Sequence, residues 1–137
     1  RDYLAATTVG NYALFGGGFG YGTSSYYKDI VDAYDTSLTR TLPTPLSVGR
    51  LLLTATAGMF AGGFGEKCYS TVDAYDTSLT RTIPTPLSVA RDYLAATTVG
   101  NYALFGGGTN GDLPYEQEYQ DTVDVYYIAW SINNNIK

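Results

Sequence analysis

Short apolar runs broken by glycine, proline and Asx residues follow one another along the whole chain, and no apolar stripe with a 3.6-residue period extends over a dozen positions. Such a pattern predicts strands and no helix. Leu4 to Val9 reads as a strand leading into a Gly10-Asn11 turn, and Tyr12 to Phe15 is a second strand, ended by Gly16-Gly17-Gly18. After a polar loop, Ile30 to Tyr34 forms a third strand. Asp35-Thr36-Ser37 then opens a turn, because an Asp side chain bonds its own backbone two residues on. Leu38 to Leu42 is a fourth strand, stopped by Pro43 and Pro45, neither of which can donate to a ladder.

The four-strand pattern then recurs. Residues 1–18 return unchanged as residues 91–108, and the block from Asp35 to Val48 returns as Asp76 to Val89 with Ile83 in place of Leu42. Arg1, Arg50 and Arg91 open three copies, 1–49, 50–90 and 91–137, and Val-Asp-x-Tyr recurs at Val31, Val72 and Val123. Repeats of roughly 40 to 50 residues, each of four antiparallel strands, fit the blades of a β-propeller. The first hairpin of the middle copy is shorter by four residues: 12 positions separate Arg50 from Gly62, against 16 between Arg1 and Gly17. Side chains alternate with period two, so an even deletion keeps their facing; a shorter, in-register hairpin with Gly58 in its turn is expected.

The recurring residues resemble the kelch family. They are Arg1, Gly17, Gly18, Val31, Asp32, Tyr34 and Asp35 in the first copy, and Arg50, Gly62, Gly63, Val72, Asp73, Tyr75 and Asp76 in the second. In the third they are Arg91, Gly107, Gly108, Val123, Asp124 and Tyr126. The chain departs from the family where a fourth-strand tryptophan is typical: Arg40-Thr41 and Arg81-Thr82 stand near that point. In the third copy Tyr127-Ile128-Ala129-Trp130 replaces the Asp-Thr-Ser-Leu block. The resemblance implies an all-β fold in which residues 1–137 form a single kelch-like propeller segment of three blades.

Three blades fall short of the roughly four to eight that close a propeller. Such an arc leaves two edges and an apolar flank in water, and edges of that kind template further pairing. The expectation is a homodimer, two arcs joined head to tail into a six-blade ring. A segment of a longer propeller, suggested by a start at Arg1 on a repeat boundary, and an open filament are the alternatives. The tail from Trp130 to Lys137 breaks the repeat, and reads either as a last strand that latches a ring or as a frayed end.

Charge and composition narrow the function. Eight basic against thirteen acidic residues give a net charge of −5, which supplies no basic face for a nucleic acid. No apolar run approaches the roughly 18 residues of a membrane span. Fourteen tyrosines and low charge lean toward an extracellular or surface-displayed protein, although no signal peptide is visible. The single cysteine, Cys68, excludes an internal disulfide; a free thiol in a loop is expected, with an intermolecular bridge as the other reading. Histidine is absent, which removes Ser-His-Asp and Cys-His catalysis in their usual forms and the commonest transition-metal ligand. The reading is therefore a non-enzyme without cofactor or metal. By resemblance, sugar-modifying and copper-oxidase activities occur among kelch-like enzymes, but no acid–base pair or histidine here supports them.

The repeated polar residues read as architecture. Asp32, Asp73 and Asp124 lie on the third strand of each copy, placed to accept from an arginine or a backbone amide; Asp35 and Asp76 start turns. No Asp-rich calcium loop is present. Arg1, Arg50 and Arg91 recur in every copy, as a packing contact must and a ligand contact need not. By resemblance, arginines near a kelch pocket grip acidic partners. The runs around Gly17, Gly18, Gly62, Gly63, Gly107 and Gly108 lack the Gly-Lys-Ser/Thr of a phosphate loop and read as tight backbone packing. Tyr12, Tyr34, Tyr75, Tyr102 and Tyr126 recur on strands and read as core.

The functional lead is the segment between glycine doublet and Val-Asp motif, which differs between copies: Phe19 to Ile30, Phe64 to Thr71 and Thr109 to Thr122. An invariant frame carrying variable loops is how binding scaffolds are diversified. By resemblance all three loops share one rim. They offer Tyr21, Tyr26, Tyr27 and Lys28, then Glu66, Lys67 and Tyr69, then Asp112, Tyr115, Glu116, Gln117, Glu118 and Tyr119. Tyrosine gives large contact area with a polar tip and stacks on sugar rings. The expected function is non-catalytic binding of a protein or glycan through this rim. The alternative is a structural protein, natural or engineered, that self-assembles through its blade edges.

Overall fold

The computed structural model describes residues 1–22, 26–111 and 118–128, and within them every element is a strand in an antiparallel sheet. In the first copy β1 (Ala5–Val9), β2 (Tyr12–Gly16), β3 (Val31–Tyr34) and β4 (Arg40–Thr41) pair in chain order. The second copy repeats this with β5 (Thr54–Thr56), β6 (Met59–Ala61), β7 (Val72–Tyr75) and β8 (Arg81–Thr82). The third forms a three-stranded sheet, β9 (Ala95–Val99), β10 (Tyr102–Gly106) and β13 (Val123–Tyr127). A separate hairpin, β11 (Thr109–Asn110) with β12 (Glu118–Tyr119), lies inside the third variable loop and was not foreseen from the sequence. The sheets do not close into a barrel: the first copy has no sheet before it and the third has none after it among the described residues.

The first three strands of each copy fall where alternation placed them, but the fourth is a two-residue ladder starting at Arg40 or Arg81, later than expected. Leu38 and Leu79, assigned to strand, take left-handed φ of 62° and 63°. They close a turn that Asp35 and Asp76 organise, the Asp35 carboxylate accepting from the amides of Ser37 and Thr39 at 2.9 and 3.0 Å. The shortened hairpin is in register, Thr54 opposite Ala61 and Thr56 opposite Met59, and turns through Ala57 and Gly58 at φ 51° and 78°. Two positive φ angles make the tight turn whose twist matches paired strands.

Consecutive sheets pack face to face. One apolar cluster joins Ala5, Val9, Leu14, Val31 and Ala33 of the first copy to Leu53, Phe60 and Tyr75 of the second. The next joins Met59, Ala61 and Val72 of the second copy to Leu94, Ala103 and Phe105 of the third, with Ile128. Each sheet thus has a leading face turned to the copy before it and a trailing face turned to the copy after it. Backbone bonds stitch the junctions: the Gly18 amide donates to the Arg50 carbonyl at 2.8 Å and that of Gly63 to Arg91 at 2.9 Å. The linkers cross as well, Tyr75 Oη donating to the Thr44 carbonyl at 2.6 Å and Tyr126 Oη to Thr85 at 2.7 Å.

The first and third copies provide an internal control, because β1 and β9 have the same sequence. Val9 is 1% exposed beneath the second sheet, and Val99, its twin, is 63% exposed. On the opposite face Phe60 and Phe105 are fully buried, whereas Phe15, with no sheet before it, is 39% exposed. Exposure at these positions is set by the presence of a neighbouring copy, not by local sequence.

Candidate functional site

Each sheet carries one arginine–aspartate device, fully buried in the second copy. The Arg50 guanidinium threads into its own copy: Nε donates to the Gly62 carbonyl at 2.6 Å, Nη1 to Asp73 Oδ2 at 2.9 Å and Nη2 to the Phe60 carbonyl at 3.1 Å. Both Arg50 and Asp73 are fully buried, so the pair is compensated by hydrogen bonds and hidden from water. Burial pushes the Arg50 pKa below its usual value, against the opposing pull of Asp73. Ser47, from the copy before, adds its amide and hydroxyl to Asp73, each at 3.1 Å. Arg91, Asp124 and Ser88 repeat it in part: Arg91 Nη2 donates to Asp124 at 2.8 Å and to the Phe105 carbonyl at 2.9 Å and both Ser88 bonds are 3.1 Å, while Nε and Nη1 of Arg91 have no partner among the described residues. The expected arginine–aspartate contact is therefore real but lies within a copy; the serine makes the link between copies. Tyr75 and Tyr126 sit beside these aspartates. Burial first, then the nearby carboxylate, raises both phenols, Tyr126 to about 12.

The first copy completes this device differently. Arg1 pairs with Asp32 and donates to the Gly17 carbonyl at 2.7 Å. Among the described residues no serine bonds Asp32; Arg40 donates Nε to Asp32 Oδ1 at 2.5 Å. Its twin Arg81 donates to the Pro45 carbonyl of the preceding linker at 2.6 Å.

The variable loops lie beside one another. In the first, Phe19 stacks on Tyr26 at 5.9 Å and meets Tyr21 and Tyr27 edge-on at 5.5 and 6.4 Å. Tyr27 reaches the second loop through Phe64, ring centroids 6.4 Å apart. The second loop reaches the third through Cys68, whose Sγ lies 3.7 Å from the Gly111 carbonyl. Between the first two loops and the linker opens a cleft of about 500 Å³, lined by Tyr27, Lys28, Asp29, Ile30, Val48, Gly49, Glu66 and Tyr69. The Lys67 ammonium sits 5.9 Å over the Tyr69 ring. Tyr21 and Tyr119 are almost fully exposed, at 88% and 87%.

Of the residues singled out in the sequence, Tyr27, Lys28, Glu66 and Tyr69 share this cleft; Tyr21 and Tyr26 flank it in the aromatic cluster. Asp112, Tyr115, Glu116 and Gln117 lie outside the described residues. Sequence reasoning missed Asp29 and the linker residues Val48 and Gly49, and it overlooked Phe19 and Phe64. The signal for that pair was there: each directly follows a glycine doublet. One expectation is corrected: of the five strand tyrosines read as core only Tyr75 is fully buried, and Tyr102 is exposed because no sheet covers it. Cys68 is a buried thiol in no disulfide.

A second cavity of about 640 Å³ runs beside the first strands of all three copies, with Thr7, Thr56, Thr98 and Phe15 among its lining and no charged side chain. Within the described residues no group of three or more acidic or cysteine side chains is placed to hold a metal, and no helix is long and apolar enough to cross a membrane. No protein-family model matches the chain, and no curated protein matches it.

Proposed function

We propose that the chain is an arc of three kelch-like propeller blades, completed to six by a second copy, which binds a protein or glycan without catalysis through its tyrosine-rich rim. The observation that carries this reading is the cleft between successive variable loops, where two phenols, an ammonium and two carboxylates converge on a shape supported by repeated sheets. Rigid aromatic faces with a few polar groups around them suit a sugar ring or a protein side chain. The frame beneath the loops is committed to packing, since its arginines and aspartates bond one another, and this leaves recognition to the loops.

The test is binding of the purified chain to arrays of defined oligosaccharides and to a displayed protein library, followed by Tyr69→Ala and Glu66→Gln. The expected result is a ligand whose affinity falls about tenfold or more, ~1.4 kcal/mol, in both variants at unchanged melting temperature. A ligand held equally well by both variants rejects the rim.

A further inference from the structure

We propose that the trailing face of the third sheet is a docking surface for the leading face of the first sheet of a second chain, so that two chains join head to tail through two identical junctions. The proposal rests on the six-blade reading for its stoichiometry and adds the surfaces, their polarity and what fills them.

The open faces at the two ends are duplicates of faces that already pack against each other inside the chain. At one end Ala95, Val99 and Val123 repeat Ala5, Val9 and Val31, which the second sheet covers completely in the first copy. In the third copy Val99, Val123 and Val125 are left more than half exposed. At the other end Leu4 and Phe15 repeat Leu94 and Phe105, which sit buried against the second sheet. Both open faces are large, apolar and exposed, the condition under which a monomer is least stable in water. Most of the complementarity has been realised once inside the chain; the trailing face differs in carrying Val125 where the internal junction buries Ala33.

Backbone geometry repeats the argument. A side chain on Gly17 would strike the Arg50 carbonyl at 2.7 Å, and one on Gly62 the Arg91 carbonyl at 2.6 Å, because the next copy's opening arginine seats there. At Gly107 the corresponding seat is open among the described residues, the nearest of their atoms being the Gln120 carbonyl at 3.8 Å, yet φ is held at 73°, against 74° at Gly17. The third sheet thus keeps the shape of a socket for the carbonyl of an opening arginine, and the proposal seats there the Arg1 carbonyl of another chain. At the outer edge of the first sheet Arg40 Nε donates to Asp32 Oδ1, the oxygen whose counterpart on Asp73 accepts the Ser47 amide. The proposed contact comprises the apolar face and the glycine seat. The trailing face is not a copy of the leading one, so the pairing is heterologous and its closure into a pair sets the rotation.

The experiment measures solution mass by light scattering for the full chain, for Val125→Lys on the trailing face and for Phe15→Lys on the leading face, with Leu4→Lys as a second leading-face variant should Phe15→Lys fail to fold. Expected are twice the 14.8 kDa chain mass for the parent, the single-chain mass for each variant, and recovery of the doubled mass when a trailing-face and a leading-face variant are mixed, since one intact junction remains. A monomeric parent overturns both this docking and the six-blade completion. A doubled mass untouched by the variants overturns these faces as the interface. Monomers that fail to recombine overturn the head-to-tail polarity, and species larger than a pair overturn closure. Rim binding is read by ligand capture, so its failure is a separate outcome.

Discussion

At the scale of single residues, stability concentrates where charge is hidden. Arg50 and Asp73 are both fully buried, and removing one partner strands the other without water. Arg50→Ala is expected to cost about 3–5 kcal/mol, read from urea denaturation. Arg1→Ala should cost about 1 kcal/mol or less, because Arg40 remains on Asp32 and the site is closer to solvent. Equal losses would contradict the view that burial, not the ion pair itself, sets the difference. The buried phenols add a pH dependence. Their folded pKa values lie above the ordinary value of 10, so the folded state holds protons that the unfolded chain releases. Stability is then full below pH 10 and falls as pH rises through 12, and Tyr126→Phe should flatten that fall in melts taken from pH 9 to 12. A residue-level reading of the sequence reached the arginine–aspartate pairs because they recur three times. It could not reach the different geometry of Arg40 and Arg81, which stand in one repeated block: Arg40 Nε lies 2.5 Å from Asp32, whereas Arg81 Nε stands 3.9 Å from Asp73 while its Nη1 bonds the linker carbonyl of Pro45.

Elements show the same division. Strands one to three of each copy were legible from alternation and glycine punctuation, and the even deletion in the second hairpin kept its register as period two requires. The fourth strand was read too long, since no apolar pattern announces that Leu38 will turn left-handed to let Asp35 collect two amides. The β11–β12 hairpin was missed because two-residue ladders leave no periodicity to detect. What no reading of an element could supply is the burial of β1 against β9, since one sequence has two environments. The glycines turn this into a measurement. In the Val125→Lys background, which is expected to be single-chain, Gly17→Ala and Gly107→Ala both carry the left-handed backbone penalty of about 1–2 kcal/mol. Only Gly17→Ala also drives a side chain into the Arg50 carbonyl, so it should melt at the lower temperature. In the parent chain Gly107→Ala should additionally shift the solution mass toward a single chain.

At the scale of the molecule, the fold is a row of sheets that touch only their neighbours, and in such rows stability is approximately a sum of unit and junction terms. The three copies contain two internal junctions, and the end faces lack the cover that those junctions supply to the faces between them. Joining two chains adds two junctions without adding a residue, so the ratio of junctions to sheets rises from two-thirds to one. Association that favours the folded form makes the melting temperature depend on concentration. The parent should therefore melt higher as concentration increases, while Val125→Lys should melt at one temperature throughout and below the parent at every concentration. A parent whose melting point does not move with concentration would mean that the three sheets are stable with Val99 and Phe15 in water. On the proposed reading, ligand binding at the loop cleft would then have to come from a single arc, with each loop presented once and the outermost loops bordered by solvent where a second chain would otherwise continue the row.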